Sequence, residues 1–454
     1  MARAATIGNG SILVAFDERG QVKDFYYPYV GHANHVSGGS GVFGHRVGVW
    51  ADGQFAWLGD QSWSINVDTH PEQANTIISA ENQRLQVKLE FRDVVHNEQN
   101  ILVRTVLIDN LSDAERTIKL FFSQQFRISE SRRGDTGIYD PRVNSIVHYK
   151  GRNVFLIHAE LNGQSFEDYS IGIFDIEGKD GTFRDAEDGT LQRNTIEHGS
   201  VDSIVGLTFE ARGNQRAEAN YWIVVGATMQ EAHGLHGYVV TETPERIRKS
   251  VQNYWRLWTS KIDRDFSALS PSLHNLYRKS LQIIRVHTDN GGGIIASSDT
   301  DMLNHGRDNY SYVWPRDSVV AADALLRGGY TDASRKLFTF FADLLEPDGY
   351  LMHKYRVDGV LGSSWHPWVR NGKTELPIQE DETASVLHFL WRHYETTKNV
   401  EFIENLYNIF IEPAAEFLCD YIDDETGLPY GSYDLWEEKY GTSTYTAASV
   451  YGGL

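Results

Sequence analysis

Six consecutive residues, Tyr433-Asp434-Leu435-Trp436-Glu437-Glu438, carry three carboxylates and two aromatic rings. They follow Gly427-Leu428-Pro429-Tyr430-Gly431, whose glycines and proline predict a turn, so the six are expected in a loop. Carboxylates beside aromatics suit sugar chemistry. Rings stack on pyranose faces, one carboxylic acid can protonate a glycosidic oxygen, and other carboxylates bond hydroxyls. The competing explanation is an amphipathic helix start with Glu437 and Glu438 on a solvated face. Two further stretches of similar composition weigh against it.

One of these stretches holds Asp299, Asp308, Tyr310, Tyr312, Trp314, Arg316 and Asp317. Arg316 beside Asp317 could form a fork for vicinal hydroxyls, with Trp314 and Tyr312 as a pocket wall. The alternative is a helix opening at Trp314-Pro315, with Asp317 as a first-turn charge and Arg316 in a surface pair. The other stretch holds Lys354, Tyr355, Trp365, His366, Trp368, Gln379, Glu380, Asp381 and Glu382. A helix N-terminus accounts for one or two of these acids but not for the run Trp365-His366-Pro367-Trp368. His353 and His366 are not spaced with other ligands in a metal pattern, so they are read as polar lining and no metal is expected. Phosphate loops, dinucleotide fingerprints, Cys/His zinc patterns and nucleophile elbows are absent from the sequence. Gly291-Gly292-Gly293 lacks the following Lys-Ser/Thr and reads as a turn.

Two halves of different periodicity must position these residues. From Ser11 to about Ile223 the pattern is strand-like. Val87, Leu89 and Phe91 alternate with Lys88 and Glu90, and Ala51-Asp52-Gly53, Asp109-Asn110 and Glu187-Asp188-Gly189 read as turns. This predicts a large antiparallel β-sandwich. From Thr243 the period lengthens. Pro244 opens a linker helix through Ile247, Val251, Tyr254 and Trp258, and Ser270-Pro271 opens the next. Further helices are expected at about 317–327, 331–345, 381–396, 400–421 and 442–454. The loops 289–316, 346–380 and 422–441 between them are long enough to be functional. The division expected is residues 1–242 as sandwich, 243–270 as linker and 271–454 as a helical domain.

The 454 residues are 41% hydrophobic and 12% aromatic, with 11 Trp and 23 Tyr, which is globular composition. A net charge of −20 argues against nucleic acid or anionic membranes as partners. The single cysteine, Cys419, excludes an intramolecular disulfide and is expected to be a buried, inert thiol in a helix. No apolar run spans a membrane, and residues 1–6 lack a signal-peptide core, so a cytoplasmic location is expected.

The three loops, in this order, resemble the glucoamylase-like glycoside hydrolase family 15. The matching residues are Tyr312-Val313-Trp314-Pro315-Arg316-Asp317-Ser318, Leu376-Pro377-Ile378-Gln379-Glu380-Asp381-Glu382-Thr383-Ala384 and Tyr433 to Glu438. Ile7-Gly8-Asn9-Gly10 and Phe25-Tyr26-Tyr27-Pro28 look like the start of the family's prokaryotic members. The resemblance implies an N-terminal antiparallel β-sandwich (supersandwich), a helical linker and an (α/α)6 barrel. It implies an inverting, exo-acting α-glucosidase that needs no cofactor and acts on α-linked glucose oligosaccharides or polysaccharides. Glu437 would be the general acid, and Arg316 and Asp317 would hold the innermost sugar. Tyr312 and Trp314 would line that subsite. Asp434, Trp436 and Glu438 would shape the site, and Gln379 and Asp381 would contact substrate.

An inverting enzyme needs two carboxyl groups about 6.5–9.5 Å apart. Glu437 would need a raised pKa, expected from burial against Trp436 and repulsion by Asp434 and Glu438. In the family the general base lies far downstream of the acid, whereas this chain ends 16 residues after Glu438. About six helices are expected in the barrel region, half the complement of a closed barrel. The barrel is therefore expected to be incomplete and the isolated chain to be weakly active or inactive, with a second polypeptide as one way of completing it. Two alternatives stand beside the hydrolase: a non-catalytic carbohydrate-binding protein and a related disaccharide phosphorylase.

Overall fold

The computed structural model describes residues 3–36, 44–131, 133–261, 266–300 and 308–454. Alternation shapes the first half. In the strand Val87–Val95, Val87, Leu89 and Phe91 are buried while Lys88, Glu90 and Arg92 are less so. This strand pairs antiparallel with Ile101–Asn110, placing Phe91 opposite Val106. Arg216–Gly226 and Asn153–Leu161 continue a ten-stranded sheet. A five-stranded antiparallel sheet, centred on Arg116–Gln125 and Val201–Ala211, faces it. Phe91, Val106, Phe122, Phe155, Val205 and Ile223 fill the space between. A four-stranded sheet from Ala5–Gly8 to His32–Asn34 completes the sandwich that the alternation predicts.

The turn expected at Ala51-Asp52-Gly53 is present, with φ 51° at Asp52 and 77° at Gly53, the left-handed pair of a tight hairpin. The other two expected turns differ. Asp109 and Asn110 are the last residues of a strand, because their partners Arg216 and Val87 extend the ladder. Glu187-Asp188-Gly189 ends a short 3-10 helix, with Gly189 left-handed at its C-terminus.

The helical half contains, among the described residues, α1 (Met229–Glu242), α2 (Pro244–Thr259), α3 (Pro271–Val286), α4 (Pro315–Arg327), α5 (Thr331–Ala342), α6 (Glu380–Thr397), α7 (Val400–Leu406), α8 (Glu412–Asp420) and α9 (Thr444–Gly453). Proline opens α2, α3 and α4, where its missing N–H costs nothing, and Ser270 and Ser443 cap α3 and α9. A π-turn at Tyr407–Ile411 joins α7 to α8 within the stretch expected as one helix. Helix α1 is not among the expected helices, and it lies within residues 1–242, packed on the last strand of the sandwich. Gly234, Gly237, Val239, Val240 and Thr241 are weak helix formers, and α1 is held by Ala232, His236 and Val239 packing against the ten-stranded sheet. Cys419 is a second correction. It lies on α8 as expected but is exposed, because the buried face of that helix is Ala414, Phe417 and Leu418.

Helices α4, α6 and α9 pack side by side, with α3, α5 and α8 outside them. Each inner helix begins where one long loop ends, so all three loops open at one end of the layer. A single apolar core runs from Val103 and Trp222 of the sheet, through Ile247 and Val251 of α2, to Val319, Val386, Leu418 and Val450.

Candidate active site

The first loop is fastened from two sides. Asp289 accepts from the backbone N–H of Val30 at 3.0 Å and of Gly291 at 2.7 Å, and Tyr26 donates its hydroxyl to the Ser298 carbonyl at 3.1 Å. The N-terminal sheet thus anchors the loop. Gly292 takes a left-handed φ of 108° in the turn expected for the triple glycine, which closes against Lys336. Residues 301–307 of this loop lie outside the described residues. On the other side, Val313 and Tyr355 exchange backbone hydrogen bonds at 2.7 and 2.9 Å, which ties the first loop to the second.

The third loop is a hairpin, Ser432–Tyr433 against Tyr440–Gly441, and not a helix start. Asp434 builds its tip. Its Oδ1 accepts from the N–H groups of Glu438 and Lys439 at 3.0 and 3.4 Å, and its carbonyl accepts from the N–H of Glu437 at 2.7 Å. Gln379 donates Nε2 to the carbonyls of Tyr433 and Asp434 at 3.1 and 2.7 Å. Together they hold Glu437 at φ 56°, a left-handed conformation rare for a side chain of this size.

Glu437 points between the loops. Its Oε1 lies 2.7 Å from Nε2 of His353, and its Oε2 accepts the indole N–H of Trp365 at 2.8 Å. The same His353 Nε2 lies 3.2 Å from the indole nitrogen of Trp314, and His353 Nδ1 lies 3.2 Å from Ser364 Oγ. The His366 ring stacks on His353 with centroids 4.0 Å apart. Burial pushes the Glu437 carboxyl up, but the His353 hydrogen bond, the charges of His353 and His366 and the Trp365 indole outweigh it and hold it down to about 2. Burial pushes His353 below the usual range, and burial with the adjacent His353 brings His366 down to about 3.

This overturns the raised pKa expected for Glu437, together with the causes expected for it. Trp436 is 75% exposed and shields nothing, and Glu438 is exposed at the hairpin tip. The indole that meets the carboxylate comes from Trp365, 72 residues earlier. His353, expected as lining, is the principal partner of Glu437. Spacing in the sequence could not reveal this, because the groups arrive from separate loops. The signal was the Trp-His-Pro-Trp run that no helix start explains.

Arg316 and Asp317 do not form a shared fork. The Arg316 guanidinium bonds Asp381 at 2.5 Å and Glu382 at 3.1 Å, while its Nε is 4.0 Å from Asp317. The backbone N–H of Arg316 donates to Glu382 Oε2 at 2.6 Å. Glu380, Asp381 and Glu382 are all buried at the start of α6, where the positive end of the helix dipole favours them. Burial removes water from Arg316, yet Glu382 and Asp381 raise its pKa above the ordinary value. The Asp317 side chain is 53% exposed and borders a cleft of about 500 Å3 with Arg3, His287 and Asp299. Trp314 is buried, and Tyr312 is half-buried beside His32. Lys354, absent from the expected site residues, lies 4.5 Å from the Tyr312 ring centroid and 4.9 Å from that of Trp314. The arrangement presents a carboxyl group, two imidazoles, one ammonium and several ring faces at the open end of the inner helices.

Comparison with known proteins bears on the fold and the family. An uncharacterized glycosyl hydrolase of Methanocaldococcus jannaschii is 26% identical over 465 residues, covering 99% of this chain and 68% of that relative. Trehalase 2 of Sulfolobus acidocaldarius is 28% identical over 199 residues, covering 39% of this chain and 33% of that protein. A bacterial glucoamylase complexed with acarbose superposes with a TM-score of 0.77 at 15% identity, over 98% of this chain and 61% of that one. A protein described as a kojibiose phosphorylase from the human microbiome follows at 0.59 and 13%, over 96% and 58%. The fold is therefore that of the glucoamylase: antiparallel sheets followed by helices of an (α/α)6 barrel, with this chain spanning about three-fifths of the glucoamylase's length. Among the described residues, no helix is long and apolar enough to cross a membrane. Residues 271–454 match the model of the glycosyl hydrolases family 15.

Proposed function

We propose that this chain contributes the acid side of an inverting, exo-acting hydrolase of α-linked glucosides, with Glu437 as the general acid. In this reading residues 1–242 form the sandwich unit, 243–270 the linker and 271–454 the first half of the barrel. Arg316, Asp317, Tyr312, Trp314, Gln379, Asp381, Asp434, Trp436 and Glu438 frame or contact the sugar. The observation that carries it is the convergence of all three loops on the Glu437 carboxyl group, through Trp314, His353 and Trp365.

A proton donor must hold a proton, and the geometry offers a way. An indole N–H can only donate. If His353 Nε2 accepts it from Trp314, that nitrogen carries no hydrogen of its own. The hydrogen on the 2.7 Å line then belongs to Glu437, the acid form, and the one Nε2 lone pair is shared between it and the longer Trp314 contact. If Nε2 is instead protonated, Glu437 is a carboxylate and the Trp314 N–H loses this acceptor. The His353–Glu437 pair thus shares a proton between two tautomers, and it titrates as a unit. General acid catalysis of this kind contributes about 10²–10⁴-fold.

The test is incubation of the chain with maltose, isomaltose and trehalose, with proton NMR of the first glucose released. β-Glucose from an α-linked substrate is expected. α-Glucose would remove the inverting mechanism, and turnover that requires phosphate would favour a phosphorylase, whose fold is also similar. Sugar binding without turnover, unchanged in Glu437→Gln, would favour a carbohydrate-binding role.

A further inference from the structure

His353, His366 and Glu437 each offer a ligand atom, and these atoms lie within 4.8 Å of one another. The imidazoles are 1% and 7% exposed. Neither ring nitrogen of His366 has a hydrogen-bond partner, although both are shut away from solvent. Buried polar atoms are nearly always paired, so an imidazole with two unpaired nitrogens facing a second imidazole and a carboxylate calls for an occupant.

We propose that His353, His366 and Glu437 form a binding site for a borderline transition-metal cation, with Zn2+ as the representative ion. Two imidazoles and one carboxylate are the donor set of three-ligand zinc sites, which leave a fourth position open. The set has too few oxygens for Ca2+ or Mg2+, which prefer oxygen shells. A tetrahedral ion with bonds of about 2.1 Å needs donor atoms roughly 3.4 Å apart. On binding, the 2.7 Å contact between His353 and Glu437 must therefore lengthen while His366 draws closer to both. His366 has no hydrogen bond to break when its ring turns, and the Glu437 side chain is 23% exposed and free to follow. Ser364 Oγ stays 3.2 Å from His353 Nδ1, the position of an outer partner that fixes the ring.

Lys354 and Arg316 place positive charge near the same trio. They oppose a cation, so the site suits reversible occupancy and not a permanently held ion. Occupancy has a functional consequence that rests on the hydrolase reading. A metal on Glu437 takes the lone pair that would carry the catalytic proton, so bound metal and proton donation exclude each other. The ion is then an inhibitor that acts at the acid.

The test is calorimetric titration of the purified chain with zinc chloride near neutral pH. One site per chain is expected, weakened by at least about tenfold in His366→Gln and in Glu437→Gln. The second variant lies in a partly exposed hairpin and guards against misfolding of the first. With Co2+ in place of Zn2+, the unsubstituted chain should show the visible absorption of a low-coordinate nitrogen and oxygen site. No binding, or equal binding by both variants, overturns the proposal. Metal binding with no hydrolysis of any α-glucoside would leave this site standing and remove the hydrolase reading.

Discussion

Arg316 pairs with Asp381, 65 residues away, and not with Asp317 beside it. The guanidinium sits at the mouth of α4 and holds two buried carboxylates at the mouth of α6. It therefore neutralises charge at the junction of two inner helices before any substrate arrives. Replacing it leaves those groups uncompensated. Arg316→Met is expected to destabilise the fold by about 3–5 kcal/mol, read from urea denaturation at neutral pH. A change within about 0.5 kcal/mol would mean that the fork is not structural.

Glu437 and His353 separate chemistry from binding. With Glu437 as the proposed proton donor, Glu437→Gln keeps the shape of the side chain but not the proton. Hydrolysis should fall by at least about 10², with sugar affinity held, by rate assay and calorimetry. His353→Phe removes the hydrogen bond to Oε1. A bond of this charged type is worth about 1.5–3 kcal/mol, so kcat should fall roughly 10- to 100-fold with little change in KM. Equal losses in KM would instead indicate a role in holding the sugar.

Stability should depend on pH through Glu380. This carboxyl is 1% exposed, neither oxygen has a hydrogen-bond partner, and burial pushes its pKa up to about 7. Between about pH 4.5 and 7 the native chain therefore binds more protons here than the unfolded chain. The contribution of Glu380 to stability is fully present below 4.5 and declines as pH rises to 7, by about 3 kcal/mol in all. Glu380→Gln should flatten that decline and be more stable than the parent above pH 7. Parallel stability curves for the two proteins would rule this out.

Two tryptophans predict opposite outcomes. Trp436, next to Glu437 in sequence, is 75% exposed, whereas Trp365 donates its indole N–H to Glu437. Trp436→Ala should change stability by less than about 0.5 kcal/mol. Trp365→Phe should leave the fold intact and change the rate, because the indole N–H is lost while an aromatic ring remains beside Tyr433. Rate measurements on the two variants, alongside thermal melts, check the contrast.

The elements were readable where a local cause dominates. Pro244, Ser270-Pro271 and Pro315 mark helix starts whatever surrounds them, and the alternation of Val87, Leu89 and Phe91 fixes a strand face. Helix α1 was not readable, because two glycines and a β-branched run give it no local preference and only the sheet beneath holds it. The three loops were visible from composition, but which side chains meet was not. His353 and Glu437 are 84 residues apart, and Arg316 had an equally acidic neighbour on hand in Asp317. Exposure of Cys419 escaped for a similar reason: an apolar stretch shows that a helix has a buried face without showing which residues are on it.

The apolar core that holds Trp222, Ile247 and Val386 runs from the ten-stranded sheet through α2 into the helical layer. Trp222, itself 1% exposed, also donates its indole N–H to His236 of α1 at 3.3 Å. Strands and helices therefore share one cooperative unit, and a single unfolding transition is expected across this chain. Removing the sandwich would not leave a stable helical half. It would bare a greasy wall along α1 and α2, and the loop that carries Arg316 would lose the sheet that holds it in place.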